Sequence, residues 1–272
     1  MNIAPYLRLI RMPHWWVYFG VGIYGLILAE GLLQPAIAIL FLLTTLAFYL
    51  AFSFSINECF DVAEDKLNPK KKNPIARGKI SFKKAYIYSI LLALSGMIIS
   101  SYFGSTTLIY VTAMAAIAYF YSATPLRLKS RFLLDIFSHG LFFGAMIFLL
   151  PFVAFGSPIG HINLIIAATI FHLSLIWEIR NHLSDYESDK KADLKTTVCV
   201  LGKGKSEKLF WWLVALYPVS LLLFLTEIQG ILIAIYLIAT IAYYFRIFLK
   251  KEVNTEIYAG VIYCAYLLSI II

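Results

Sequence analysis

The sequence predicts an all-α fold, a polytopic membrane bundle of about nine transmembrane helices in two internally similar halves. Three observations predict it: an apolar composition, apolar runs of membrane-spanning length, and basic residues confined to alternate connections. Of 272 residues, 61% are hydrophobic and 14% charged, against about half apolar and about a quarter charged in soluble domains. Hydrocarbon gives backbone groups no hydrogen-bond partner, so segments of this pattern span it as helices and not as open strands.

Runs of about 17–25 apolar residues cross the hydrocarbon, and nine are read here, near 13–33, 35–56, 84–103, 106–123, 132–154, 162–183, 210–227, 229–249 and 256–272. The first has the position of a signal peptide. However, Glu30-Gly31-Leu32-Leu33-Gln34 offers no small-x-small cleavage site and the next span follows at once, so it is read as a retained span. With these boundaries all 23 Lys and Arg fall on one side. Arg8 and Arg11 precede the first span, and Lys66 to Lys84 form a basic stretch after the second. Arg127, Lys129 and Arg131 follow the fourth, Arg180 to Lys208 flank the sixth, and Arg246, Lys250 and Lys251 end the eighth. The connections near 31–34, 104–106, 155–161 and 226–230, and the C-terminus, carry none. The positive-inside rule then sets the N-terminus and the basic connections in the cytoplasm and the C-terminus outside a cell membrane crossed many times.

The net charge of +8 thus belongs to one membrane face and suits anionic lipid. Nucleic-acid binding needs a soluble basic surface, which this pattern does not provide. Cys59, Cys199 and Cys264 are far apart and form neither a disulfide framework nor a Cys/His metal spacing. No Pro-, Ser- or Gly-rich linker divides the chain, so residues 1–272 are read as one membrane-embedded domain.

Two connections are long and polar, 57–84 and 184–209, and both lie on the basic side. Each begins where an apolar helix ends and carries an Asn-x-x-x-Asp-x-x-x-Asp pattern: Asn57, Asp61 and Asp65 after the second span, Asn181, Asp185 and Asp189 after the sixth. Four intervening spans restore the same membrane side, as a parallel internal duplication would. Spacing of four puts each triplet on one helical face over two turns. Carboxylates stacked this way repel unless a cation joins them, and an oxygen-only donor set without His or Cys favours magnesium over zinc. Magnesium takes few protein carboxylates and completes its shell with water and phosphate, so two facing stripes suit a diphosphate.

Lys66, Lys70, Lys71, Lys72 and Arg77 follow the first stripe, and Lys190, Lys191 and Lys195 follow the second. Arg77, Lys129 and Lys195 are the preferred phosphate ligands among them. Tyr121-Ser122-Ala123-Thr124-Pro125-Leu126-Arg127-Leu128-Lys129 lies on the same face and is placed to close over the anion.

These residues resemble the UbiA superfamily of intramembrane prenyltransferases. The resemblance rests on the paired aspartate motifs, on Asn73-Pro74-Ile75-Ala76-Arg77-Gly78-Lys79-Ile80-Ser81, on the Tyr-x-x-x-Pro-x-x-x-Lys element ending at Lys129, and on Asp185 through Gly202. It covers nearly the whole chain. The chain departs from many members in having Glu58 after Asn57 and Asn73 before Pro74. The resemblance implies a helical bundle around a central cavity open laterally to lipid, and Mg2+-dependent transfer of a prenyl chain. The donor is then a polyprenyl diphosphate and the acceptor a lipophilic molecule in the membrane, a quinone precursor, glycerophosphate lipid or related compound.

In this reading Asn57, Asp61, Asp65, Asn181, Asp185 and Asp189 hold the metal, and Arg77, Lys129 and Lys195 stabilise the departing pyrophosphate. The allylic cation needs electron-rich, dry surroundings. Tyr119, Phe120, Tyr121, Phe142, Phe143 and Phe171 are available, and Tyr121 is assigned to the cation or phosphate. Polar groups inside spans are costly and hence functional candidates: Arg11, His14, Asp135, His139, His172 and Glu178. Asp135 equally suits a pair with Arg131 one turn earlier, and a lone His an interhelical contact. Two other membrane classes use acidic residues. A CDP-alcohol phosphotransferase needs a different run beside its aspartates, and an ion-coupled transporter usually places its site at mid-membrane.

Overall fold

The computed structural model describes residues 3–68, 71–222, 231–249 and 253–271, and these contain helices and no strand. Lys70, Lys250, Lys251 and the connection near 226–230 lie outside the described residues. Helix α1 (Ala4–Leu9) is short, and α2 (Trp16–Leu28) has only 13 residues, fewer than the expected first span. Short 3-10 turns at Met12–His14 and Gly31–Leu33 flank it.

Helix α3 (Ala36–Phe60) runs past the expected end of the second span and carries Asn57, and α4 (Val62–Leu67) carries Asp65. After it come α5 (Phe82–Ser100), N-capped by the Ser81 hydroxyl, and α6 (Ser105–Ser122). The fifth span is composite: α7 (Leu134–His139), a π-helical stretch at Gly140–Ala145, and α8 (Met146–Phe155). Helix α9 (His161–Lys191) has 31 residues, a length of about 46 Å against roughly 30 Å of hydrocarbon. The excess carries Asp185 and Asp189 past the apolar run on an unbroken helix.

The chain ends with α10 (Thr197–Leu201), capped by the Thr196 hydroxyl, then α11 (Lys203–Leu221), α12 (Ile231–Phe248) and α13 (Thr255–Ile271). Helix α11 begins before the expected seventh span and takes Lys203, Lys205 and Lys208 into its first turns. Four helical segments, Ala36–Phe60, Phe82–Phe103, Leu134–Phe155 and His161–Lys191, are long and apolar enough to cross a membrane. Trp16–Leu28, Ile233–Phe248 and Thr255–Ile270 are apolar but shorter.

Two large buried apolar clusters lie on either side of α7–α8. Leu50, Phe52, Met114 and Ala118 of α3 and α6 pack with Phe142 and Ile147. Ile170, Ile176, Tyr217 and Tyr258 of α9, α11 and α13 pack with Phe148 and Phe152. The α7–α8 rod therefore serves both. Large apolar side chains also point outward, among them Trp16, Ile98, Ile109 and Ile241. Along Phe82–Phe103 only 17% of the most apolar stretch is buried within the protein. An apolar surface of this extent belongs against lipid, and the chain is a membrane protein.

Candidate active site

The two Asn/Asp triplets line one cavity of about 1570 Å³, together with Tyr121 and Lys129. They reach it differently. Asn181, Asp185 and Asp189 share the continuous helix α9. In the first triplet the helix is interrupted at Asp61, whose φ of −92° and ψ of 8° separate α3 from α4. Helical bonding still bridges the break, from Asp61 N to Asn57 O at 3.0 Å and from Asp65 N to Asp61 O at 2.9 Å. The single face expected over two turns is thus kept with a bend at its central residue.

Basic side chains meet the carboxylates directly. Lys129 donates to Asp61 and lies 2.9 Å from Glu64 Oε1, which also takes Arg127 Nη2 at 2.6 Å. Arg127 is left-handed, φ 38°, where the 121–129 element turns back toward the cavity. Lys71 spans the two motifs, its Nζ 2.8 Å from Asp185 Oδ2. Asn73 Nδ2 donates to Asp65 Oδ2 at 2.9 Å and to the Glu58 carbonyl at 2.8 Å, while its Oδ1 accepts from Ile75 N at 2.9 Å. Burial raises the Asp65 carboxyl above its usual range, against the pull of the Asn73 hydrogen bond and the Lys71 charge. Burial likewise lowers the Lys129 ammonium to about 8, against the attraction of the surrounding carboxylates.

Arg77 and Lys195 fall outside this lining, whereas Arg11, His14, His139 and Glu178 belong to it. Arg77 donates to the Asn68 and Lys71 carbonyls and so braces the loop that presents Lys71. Lys195 is exposed. Phe142 and Phe143 line the cavity with Tyr121, whereas Tyr119, Phe120 and Phe171 are not among its lining residues. Asp135 does not pair with Arg131, whose guanidinium donates to the carbonyls of Leu126 and Pro125. It accepts instead from Thr197 N at 2.6 Å and from the Thr197 hydroxyl, and stands 3.2 Å from His182 Nδ1. His172 makes an interhelical contact to the Leu213 carbonyl at 3.1 Å. Arg11 lies 3.5 Å from Glu58 and over the Phe54 ring.

Among the described residues, no three His, Cys, Asp or Glu side chains converge as a metal cluster. The donors suit a hard cation nonetheless. They are carboxylate and amide oxygens, Asp61 and Asp185 are already met by lysine ammonium groups, and Glu64 Oε2 is buried in the cavity wall with no hydrogen-bond partner.

The UbiA prenyltransferase family matches residues 17–263. The chain belongs to that family. As a UbiA prenyltransferase it is an enzyme of isoprenoid metabolism that transfers a polyprenyl group to a lipophilic acceptor. A lycopene elongase/hydratase of Haloferax volcanii is 27% identical over 234 residues, 80% of this chain and 71% of that protein. A digeranylgeranylglyceryl phosphate synthase of Pyrococcus horikoshii is 28% identical over 212 residues, 76% of this chain and 72% of that protein. The solved structure of a UbiA homologue from Archaeoglobus fulgidus bound to DMAPP and Mg2+ superposes with a TM-score of 0.72 at 24% identity, covering 98% of this chain and 99% of that one. That likeness shows the shared UbiA fold.

Glu64 and His182 also line the cavity, although neither belongs to an Asn/Asp triplet. Both stand at helical spacing from a motif residue: Glu64 is one turn after Asp61, and His182 is one turn before Asp185. That spacing was the available signal. Their partners Lys129, Arg127 and Asp135 lie on segments distant in sequence and leave no local trace.

Proposed function

We propose that this UbiA enzyme catalyses Mg2+-dependent transfer of a polyprenyl group from a polyprenyl diphosphate to a lipid acceptor within the membrane, releasing pyrophosphate. One observation carries the reading: both triplets line a single cavity whose walls continue into an aromatic region, so a charged head and an apolar tail have adjoining places. Asn57, Asp61, Asp65, Asn181, Asp185 and Asp189 hold magnesium, which when bound neutralises charge on the departing pyrophosphate. Lys71 and Lys129 contact the phosphate oxygens as point charges, and Arg127 holds Glu64 beside them. Tyr121 and the rings of Tyr18, Phe54, Phe142 and Phe143, packed at centroid distances of 4.5–6.0 Å, face the allylic carbon and exclude water.

The names of the archaeal relatives, a glyceryl phosphate lipid synthase and a lycopene elongase, support an acceptor that is itself an isoprenoid lipid. The one-sided distribution of all 23 Lys and Arg supports nine spans in one domain, with the N-terminus and both motifs on the cytoplasmic side and the C-terminus outside.

The test is product mass spectrometry with purified protein, Mg2+ and geranylgeranyl diphosphate, offering aromatic, glycerophosphate, sugar-phosphate and carotenoid acceptors in turn. A prenylated product and pyrophosphate are expected, and both are lost in Asp61→Ala and in Asp185→Ala. Full activity in the double variant overturns the reading. Transport of a donor-sized molecule without any covalent product points instead to an ion-coupled transporter.

A further inference from the structure

One helical turn deeper than Asn181, a second polar constellation faces the same cavity. The Glu178 carboxylate accepts from the Tyr121 hydroxyl, lies 3.0 Å from His182 Nε2 and 3.4 Å from His139 Nε2, and is 3.4 Å from Asn181 Nδ2. Ionisable groups at membrane depth are costly, and holding magnesium and diphosphate leaves His139 without a task. Its placement is specific. His139 ends α7 where the π-helical stretch begins, and such insertions recur at functional sites. Gly140 and Gly144, four apart on that stretch, let it lie close on α9. A Cβ at Gly140 would come 2.8 Å from the Phe171 ring, and one at Gly144 would come 3.3 Å from the Ile170 carbonyl. The approach sets His139 Nδ1 2.9 Å from the Ser174 hydroxyl.

The tautomer is assigned from this network. The Ser174 hydroxyl donates to the His139 carbonyl at 3.5 Å, so its oxygen is left to accept from Nδ1–H. Nε2 is then the basic nitrogen. It lines the cavity and stands beside a carboxylate oxygen, where a proton would complete an ion pair. The other groups facing the imidazole are His182 of α9, Asp135 of its own helix and Tyr121 of α6.

We propose that His139 is the general base that takes the proton released by the acceptor, with Glu178 holding the resulting imidazolium. The proposal rests on the prenyl-transfer reading. In the step, the C1–O bond of the donor breaks and its electron pair leaves with pyrophosphate. An electron pair of the acceptor, from a hydroxyl oxygen or a carbon–carbon double bond, forms the new bond to C1. The O–H or C–H bond then gives its electrons back to the acceptor and its proton to His139 Nε2. Every neutral acceptor needs this loss, because it carries the positive charge of the allyl group until a proton departs. The height also suits the step. The diphosphate belongs to the level of Asn181, C1 is the next atom toward the membrane, and Glu178 with His139 is the next turn of α9.

The experiment compares the wild-type chain with His139→Ala and His139→Gln in lipid vesicles, using geranylgeranyl diphosphate, Mg2+ and the acceptor that yields product in the screen above. Both variants are expected to lose about 100-fold in kcat, the scale of a general base, with the donor KM changed less than threefold. Imidazole at tens of millimolar should restore at least tenfold in the Ala variant, with rates that rise with the pKa of substituted imidazoles. His139→Gln keeps a polar partner for Ser174 and cannot act as a base, so wild-type kcat in it overturns the proposal. Parallel loss of kcat and donor affinity without rescue also overturns it, since that is structural support. A wild-type chain that forms no product overturns the prenyl-transfer reading first, and this proposal with it.

Discussion

Lys71, from the segment after the first motif, ends on Asp185 of the second, with Nζ 2.8 Å from Oδ2. This contact joins residues 114 apart in sequence and ties the two motifs into one unit. The side chains are 35% and 24% exposed, so solvent weakens the pair as a contribution to stability. Its consequence is for ligand binding. Lys71→Ala is expected to raise the donor KM about tenfold, the worth of one charge-assisted contact, and to leave kcat within threefold. Steady-state kinetics with geranylgeranyl diphosphate checks this, and an unchanged KM would remove Lys71 from the phosphate site.

Lys129 supports a pH prediction. Burial lowers its ammonium to about 8, so the group is charged below that pH and neutral above it. A contact that needs the charge is complete at neutral pH and fades as pH rises through 8. kcat/KM for the donor should therefore fall on the alkaline side with a midpoint near 8. Lys129→Arg keeps a charge at all accessible pH values but changes its shape, so it should show lower activity without that limb. A limb that persists unchanged in the Arg variant would assign it to another group.

Asn73 is the hinge of the first loop. Its amide joins Asp65, the Glu58 carbonyl and the Ile75 N–H, all within 2.9 Å. Asn73→Ala leaves a buried carbonyl and a buried N–H without partners, a cost of about 1–3 kcal/mol each when solvent cannot replace them. The expected result is a lower thermal midpoint together with weaker Mg2+ dependence, because Asp65 loses the group that orients it. Differential scanning fluorimetry and Mg2+ titration of activity separate the two effects.

What the sequence discloses depends on how local the signal is. The triplets were legible because helical spacing is four and the pattern occurs twice at equivalent topological positions. The excess length of α9 was not, since hydropathy marks where the apolar run stops and the helix continues to Lys191. The bend at Asp61 was hidden because helical hydrogen bonds persist across it. Asp135 shows the limit most clearly. Arg131 is its neighbour on the helical wheel, yet Thr197, 62 residues away, supplies both of its donors because α10 packs against α7. Charge partners one turn apart are a local guess, and buried carboxylates are settled by whichever helix end the fold brings to them.

Gly144 offers the test of how α7–α8 is held against α9. Its missing Cβ would lie 3.3 Å from the Ile170 carbonyl, the Phe171 Cα and the Ser174 Cβ, so two of the three neighbours are backbone and cannot turn aside. Gly144→Ala forces a shift of a few tenths of an ångström, and Gly144→Leu must push the helices apart, with overpacking costs of about 1–3 kcal/mol. Because the same contact brings His139 to Ser174, stability and turnover should fall together along the Gly, Ala, Leu series, while donor binding at the more distant aspartates changes little. Thermal midpoints, kcat and donor KM measured on the three proteins check this. A Leu variant with native kcat would show that the close approach at residue 144 serves packing alone.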